Sequence, residues 1–166
     1  VVAPDRQQSA VGHALTVSSP LRATPFHRDG AMFGYAIDGT PTDCVKMAIS
    51  TLLPEKPDII VSGINHGTNT SINVLYSGTV SAATEGMMMG IRSMAVSLTS
   101  FDHTADMSIA ADYACAVAKQ LPHLQLPADT ILNVNVPTVP RDMIKGVKIT
   151  RLSKSMWNDH YERRTD

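Results

Sequence analysis

The sequence predicts a three-layer α/β domain with a mainly parallel sheet, spanning residues 1–166 as a single domain. Short apolar runs without polar alternation, such as residues 58–63, are typical of strands covered on both faces. Segments with apolar residues at helical spacing lie between these runs, which favours strands alternating with helices. A chain of 166 residues can also bury a sizeable core without metals or disulfides.

The first predicted elements are strands over residues 1–3, 14–17 and 32–37, of which the last two form a hairpin or a pair of edge strands. A helix of about three turns follows. Thr40 is its expected N-cap, with Asp43 completing a capping-box-like start.

The second half repeats the alternation and completes a Rossmann-like arrangement. The predicted elements are a strand over 58–63, a helix over 79–90, a strand over 93–98, a helix over 107–121 and strands over 130–136 and 146–152. In such folds ligands bind at the carboxyl ends of the strands. Two polar loops occupy that position, one over residues 4–13 and one after residues 59–61.

Composition limits the partners. A formal net charge of -1 gives no electrostatic reason to expect a nucleic-acid duplex or an anionic membrane. No apolar run reaches the ~18–20 residues that span a bilayer, and no signal-peptide pattern is present, so we expect a cytoplasmic protein. Cys44 and Cys115 are expected to be buried free thiols on helices.

A predicted helix begins at the run Ser77-Gly78-Thr79. The start of a helix offers unpaired N–H donors and a partial positive charge, and glycine permits a close approach, so this run suits a phosphate. The alternative is that Ser77 or Thr79 only caps the helix. Both interpretations remain open at the level of sequence.

Two asparagines in the run "GINHGTN" form a second candidate site. The amides of Asn65 and Asn69 can ligate a hard cation through oxygen or donate to an anion, while Gly63 and Gly67 permit tight turns. The alternative is that these asparagines satisfy their own backbone in a turn.

Other polar residues have simpler interpretations. His13 and His66 are expected to be surface or loop histidines, because neither has a second ligand at metal-binding spacing. Asp43 is interpreted as a helix-cap acid and the methionines 87–89 as core or subunit packing. Glu85 is interpreted as facing solvent or a neighbouring helix; the alternative is a role in the site, since it lies one to two turns from the predicted phosphate site. The motifs of P-loop kinases, α/β-hydrolases, zincins and dinucleotide dehydrogenases are not found.

Several segments together resemble the SurE family, the stationary-phase survival proteins that are metal-dependent 5′-nucleotidases. The segments that carry the resemblance are, in order, "VVAPDRQQSAVGHALT", "GTPTDCVKMA", "PDIIVSGINHGTN", "YSGTVSAATEG", "ILNVNVP" and "IKGVKITRLSKSMWNDHYERR". The resemblance extends over essentially the whole chain.

The resemblance implies a site around a divalent cation, Mg²⁺ or Mn²⁺. In the family this cation is held by adjacent aspartates of an N-terminal "NDDG" stretch, by a serine and by an asparagine. Ser9 and Asn65 match the last two. Ser77, Gly78 and Thr79 match the phosphate-binding turn, and Asn69 matches the second loop asparagine, so these four are the expected substrate-binding residues.

The resemblance also has gaps. The aspartate pair with its strand and the family's C-terminal oligomerisation arm have no counterpart in these 166 residues, so we expect a chain incomplete at both ends and assign no catalytic residue. The family implies a homodimer or homotetramer.

The leading hypothesis is a metal-dependent phosphohydrolase that releases phosphate from nucleoside 5′-monophosphates. Phosphate monoesters need accelerations of up to ~10²¹, which neutral donors cannot supply, so this segment alone is expected to be inactive. The alternative hypothesis is a non-catalytic nucleotide- or phosphate-binding module. A dinucleotide oxidoreductase is a third, but the glycine fingerprint it requires is not found.

Overall fold

The computed structural model describes residues 1–155 and 160–165. Its strands are β1 (Val2–Pro4), β2 (Ala23–Arg28), β3 (Ala31–Ile37), β4 (Ile59–His66), β5 (Arg92–Leu98) and β6 (Leu132–Val136). Its α-helices are α1 (Pro41–Met47), α2 (Asn73–Tyr76), α3 (Gly78–Met88) and α4 (Ser108–Gln120). A π-helical turn (Ala48–Leu52) extends α1, and short 3₁₀ turns follow at Leu121–His123 and Arg141–Met143.

Sheet B has the order β4-β5-β6, and all its pairs are parallel. Helix α3 packs on β4 and β5. On this side Val80 and Ala83 contact Ala95. On the other side Met94 packs with Leu121, which follows α4. The sheet therefore lies between two helical layers, as its uninterrupted apolar runs predict.

Sheet A has the order β1-β3-β2 and is mixed, since β1 is parallel to β3 but β2 is antiparallel to it. Helix α1 packs against both β1 and α3, so these helices join the two sheets. Three of the four strand pairs are parallel, and the predicted α/β fold with a mainly parallel sheet is confirmed.

The predicted hairpin exists, but the predicted position of its first strand is wrong. Residues 14–17 form no strand, and the partner of β3 is β2. The turn between β2 and β3 is Asp29-Gly30, with φ of 51° and 78°, and such Asp-Gly turns join strands that adjoin them directly. Residues 14–17 instead bind the start of α1 through Ala14 and Thr16.

The predicted strand over residues 146–152 is also wrong, because this segment is irregular and solvent-exposed. Val147 and Ile149 alternate as in a strand, but no strand of the described residues pairs with the segment. The last segment quoted for the family resemblance also includes residues 156–159, which lie outside the described residues.

The N-terminal cap of α1 is confirmed. Thr40 and Asp43 form a reciprocal capping box, and Pro41 is the first helical residue. The prediction of two buried cysteines is half wrong. Cys44 on α1 is buried, but Cys115 is exposed because it lies on the solvent side of α4. None of the helices in residues 1–155 and 160–165 has the length and apolar character needed to cross a membrane.

Candidate functional site

The first loop, residues 5–17, leaves the carboxyl end of β1 and is held by Asp43. Both the N–H and the hydroxyl of Thr16 donate to this carboxylate, at 3.1 and 2.7 Å, and the N–H of Thr40 donates at 2.9 Å. Burial alone would raise the pKa of Asp43, but these hydrogen bonds outweigh burial and lower it below its usual value. Asp43 is thus the expected cap acid and also an anchor of the loop.

Glu85 is a second anchor of the first loop. This residue of α3 is only 4% exposed, so it does not face solvent, although the predicted contact with a neighbouring helix is present. Its carboxylate lies 2.8 Å from His13 Nε2 and accepts a bond of 2.9 Å from Lys46 Nζ on α1. Burial would raise the pKa of Glu85, but these two partners lower it overall. His13 lies in a loop, as predicted.

The first loop lies against the start of α3. The N–H of Gly12 donates to the carbonyl of Tyr76 at 2.9 Å. Gly78 is buried beneath the loop, since a Cβ at this position would lie 3.3 Å from Val11 and 3.5 Å from the carbonyl of Gln8. Ser9 follows Gln8 and is exposed. The loop that carries Ser9 and the run from Ser77 to Thr79 are therefore neighbours.

Ser77 is the N-cap of α3, because its hydroxyl accepts from the N–H of Val80 at 3.2 Å. Its carbonyl accepts from Ser81, so the capping alternative is correct for this residue. A cap satisfies only one or two of the first four N–H groups of a helix. Within the described residues no acceptor is found for the N–H groups of Gly78 and Thr79, and unpaired N–H groups at a helix start suit an anion.

The second loop, residues 67–77, follows β4 and is anchored by Asn69, which is 4% exposed. Its N–H donates to the amide oxygen of Asn135 at 2.9 Å, and its carbonyl accepts from the amide of Asn133 at 2.6 Å. Its own amide donates to the hydroxyl of Ser97 at 2.6 Å. Asn69 thus attaches the loop to β5 and β6, and its role as a substrate ligand stays a prediction.

Sequence reasoning missed Asn133, Asn135 and Ser97. A signal was present, because "LNVNV" places amides at alternate positions of an otherwise apolar strand, so that both face the same side of the sheet. Asn133 is exposed and Asn135 is half-buried, and the partner of both amides is the second loop.

Asn65 lies near the carboxyl end of β4, half-buried. Its amide nitrogen donates to the carbonyl of Gly67 at 3.0 Å, and its amide oxygen has no hydrogen bond within the described residues. Gly63 has φ of +126°, and a Cβ there would lie 2.3 Å from the carbonyl of Val96, so only glycine fits. His66 ends β4 half-buried beside His103, which differs from the expected surface or loop position.

The oxygens of Ser9 and Asn65 fit a hard cation by type, since hydroxyl and amide oxygens ligate Mg²⁺ and Mn²⁺. They carry no charge, however. No group of three acidic, histidine or cysteine side chains suited to a metal is found in the part of the chain that the structure describes. The buried carboxylates Asp43 and Glu85 are engaged by their own donors, so neither supplies the negative charge that Ser9 and Asn65 lack. No hydrogen bond joins Ser9 to Asn65 in these residues.

Parallel pairing of β1 with β3 and of β4 with β5, with a polar loop at the carboxyl ends of β1 and β4, defines an α/β protein of the kind in which ligands bind at the ends of strands. The chain belongs to the SurE family, since the family described as "Survival protein SurE" matches residues 1–159. The crystal structure of the Sure protein from Aquifex aeolicus superposes with a TM-score of 0.80 at 43% identity, covering 92% of this chain and 60% of that one.

Among curated relatives, the 5′-nucleotidase SurE of Syntrophobacter fumaroxidans is 51% identical over all 166 residues, which cover 66% of that protein. The 5′-nucleotidase SurE of Chlorobium phaeobacteroides is 46% identical over the same residues, which cover 64% of it. The family resemblance is thus confirmed, and the chain spans slightly less than two thirds of the length of these relatives.

Proposed function

We propose that the protein is a metal-dependent phosphohydrolase that releases phosphate from nucleoside 5′-monophosphates. The observation that carries this proposal is the packing of the Ser9 loop against the capped start of α3, where a Cβ on Gly78 would lie 3.3 Å from Val11 and 3.5 Å from the carbonyl oxygen of Gln8. The exposed hydroxyl of Ser9, which we propose as the oxygen ligand, belongs to the loop that packs beside the N–H groups of this helix start. The names of the two curated relatives support the same activity.

The proposed site has two sets of residues, one that binds the cation and one that binds the phosphoryl group. Ser9 and Asn65 would hold Mg²⁺ or Mn²⁺ together with the family's aspartate pair, which has no counterpart in these 166 residues. When bound, such a cation neutralises phosphoryl charge and activates water. The N–H groups of Gly78 and Thr79, with the Thr79 hydroxyl, bind and orient the phosphoryl oxygens.

The second loop supports this site from sheet B. Asn69 fixes its backbone to Asn135 and Asn133, so the segment between β4 and α3 has a defined path. Gly67 donates its N–H to the carbonyls of Leu98 and Ser100, which fixes the backbone next to Asn65.

We propose that the protein is cytoplasmic and acts as a homodimer or homotetramer.

The test is phosphate release from nucleoside 5′-monophosphates by the full-length protein, with Mn²⁺ or Mg²⁺ and after treatment with a chelator. Asn65→Ala should raise the metal concentration needed for half-maximal activity by about tenfold, while Asn65→Asp keeps a ligand oxygen and should not. Thr79→Val should raise KM or lower kcat by about tenfold at saturating metal. Its matched control is Thr84→Val, since Thr84 lies on the same helix and donates only to Val80.

The alternative hypothesis gives a different result. A non-catalytic module would bind nucleoside monophosphates, with Thr79→Val weakening that binding, but would release no phosphate at any metal concentration. Wild-type kinetics in both Asn65→Ala and Thr79→Val would contradict the assignment of the site.

A further inference from the structure

Glu85 lies in α3 beyond the proposed phosphate site. It is separated from Thr79 by about 9 Å along the helix axis, at 1.5 Å per residue. Its carboxylate is therefore too far along the helix to touch a phosphate bound at the helix start. It faces inward instead and contacts two other elements, with His13 of the first loop on one oxygen and Lys46 of α1 on the other.

Burying a carboxylate is costly unless it is paired and hydrogen-bonded. The side chain of Glu85 is 6% exposed, whereas those of His13 and Lys46 are 35% and 47% exposed. The negative charge is thus the buried member of the cluster, and the two positively charged or donor groups reach in from outside. Removing Glu85 would free both partners to turn towards solvent.

The contact between His13 and Glu85 attaches the first loop to α3 through side chains. The later attachments of the loop are the Gly12 N–H on the carbonyl of Tyr76, the Thr40 hydroxyl on the carbonyl of Ala14 and the two bonds from Thr16 to Asp43. Ser9 lies between the end of β1, where the Asp5 N–H donates to the carbonyl of Ile37, and these later contacts, and its hydroxyl is bound only by Gln7 within the described residues. The position of Ser9 relative to Gly78 therefore depends on the anchors that come after it as well as on the end of β1.

We propose that Glu85 is a positioning residue, which through His13 and Lys46 holds the Ser9 loop and α1 against α3 and so fixes Ser9 beside the start of that helix. This inference rests on the proposed function in taking Ser9 as a metal ligand. Glu85 itself touches neither the metal nor the substrate.

The experiment compares full-length wild type, Glu85→Ala and Glu85→Gln. Hydrogen–deuterium exchange over residues 6–17 should rise about tenfold in Glu85→Ala, because the loop opens more often. The affinity for Mn²⁺, measured by calorimetry, should fall about threefold to tenfold, as for the loss of a group that orients a ligand. Glu85→Gln retains an acceptor oxygen and should lie between the two. KM for the nucleotide at saturating Mn²⁺ should change less than about twofold.

The control is Leu121→Ala. Leu121 is fully buried on the α4 side of sheet B, away from the first loop, and its truncation destabilises the protein without touching the cluster. It should lower the melting temperature but leave loop exchange and Mn²⁺ affinity within about twofold of wild type. If Glu85→Ala does not fold, His13→Ala tests the same attachment, since Glu85 then keeps Lys46 and only the loop is released.

Loop exchange and Mn²⁺ affinity that stay at wild-type values in the folded variant would overturn the proposal, as would equal changes in Leu121→Ala. Neither readout needs catalysis. A protein that binds Mn²⁺ more weakly after Glu85→Ala but releases no phosphate would contradict the proposed function and leave this inference standing. Phosphate release by wild type, together with unchanged loop exchange and Mn²⁺ affinity in Glu85→Ala, would support the proposed function and overturn this inference.

Discussion

The first and second loops both leave the carboxyl end of a parallel strand, but only the first is attached through ionised carboxylates. Besides the neutral bonds of Gly12 and Ala14, the first loop is held by two buried carboxylates, Asp43 and Glu85, which accept from hydroxyl, ammonium, imidazole and backbone donors. The second loop is held by neutral groups, with the amide and backbone of Asn69 bound to Asn135 and Ser97.

Because only the first loop is attached through carboxylates, we expect the two halves of the candidate site to respond differently to pH. Hydrogen bonds to ionised carboxylates are stronger than neutral ones, but they depend on the charge state of the acceptor. Amide hydrogen bonds do not titrate. The loop with Ser9 should therefore be the part that acid loosens, while the loop after Asn65 keeps its structure.

The largest effect is expected from Asp43→Ala. This change removes the acceptor for two donors of Thr16 and for the N–H of Thr40, and we expect a loss of about 2–4 kcal/mol in the free energy of unfolding. Chemical denaturation measures it. Asp58→Ala, at an exposed position before β4, is the control and should stay within about 0.5 kcal/mol of wild type. Equal losses in the two variants would refute the role of Asp43 as an anchor.

Acid is expected to have the next largest effect. The folded-state pKa values of Asp43 and Glu85 are lowered, so their contribution to stability is full above the unfolded pKa values of about 4 and is lost as the pH falls through the folded values. The loss should be smaller than in Asp43→Ala, because a protonated carboxyl still accepts some bonds.

Exchange measured at pH 7 and pH 3 checks this effect. The first loop should lose protection before the second loop, and the stability gap between wild type and Glu85→Gln should narrow as the pH falls. A gap that widens in acid would show that Glu85 is not stabilised as a charged group by Lys46 and His13.

Asn69→Ala is expected to cost about 1–2 kcal/mol, because it leaves the buried Ser97 hydroxyl without its partner. Unlike the stability contributed by Asp43 and Glu85, the loss of stability in Asn69→Ala should be the same at pH 7 and pH 4. The pairing is tested by a double-mutant cycle with Ser97→Ala, in which the two losses should not add. Full additivity would show that the two side chains do not stabilise the protein through one shared bond.

The smallest effect is expected at the cap of α3. Ser77→Ala removes the acceptor of the Val80 N–H and should cost about 1 kcal/mol, whereas Ser77→Gly should cost only a few tenths. Thermal unfolding of the two variants measures the difference. A loss that is as large in Ser77→Gly as in Ser77→Ala would mean that Ser77 contributes more than a cap.

Local chemistry could be predicted from the sequence. The capping box of Thr40 and Asp43 depends on residues that are three positions apart, and the apolar runs of sheet B reflect burial on both faces. The hairpin was misplaced because residues 14–17 have the composition of a strand, while the contacts that prevent one come from α1. Residues 146–152 alternate as a strand does but lack a neighbour, which the sequence of one segment cannot show.

The attachments of the site lie between distant parts of the chain. Glu85 and His13 are 72 residues apart, and Asn69 and Asn135 are 66 apart, so no local pattern connects them. The family resemblance indicated Ser9, Asn65 and the phosphate turn as ligands. It did not indicate the side chains that hold them, because those contacts depend on how helices and sheets pack.

The most direct test of the proposed activity is phosphate release from a nucleoside 5′-monophosphate by the full-length protein, followed before and after removal of divalent cations with a chelator. We expect release with Mn²⁺ or Mg²⁺, its loss on chelation, and recovery when the cation is restored, with Asn65→Ala needing about tenfold more metal. Release that is unaffected by the chelator, or an Asn65→Ala variant with the metal requirement of wild type, would contradict the account.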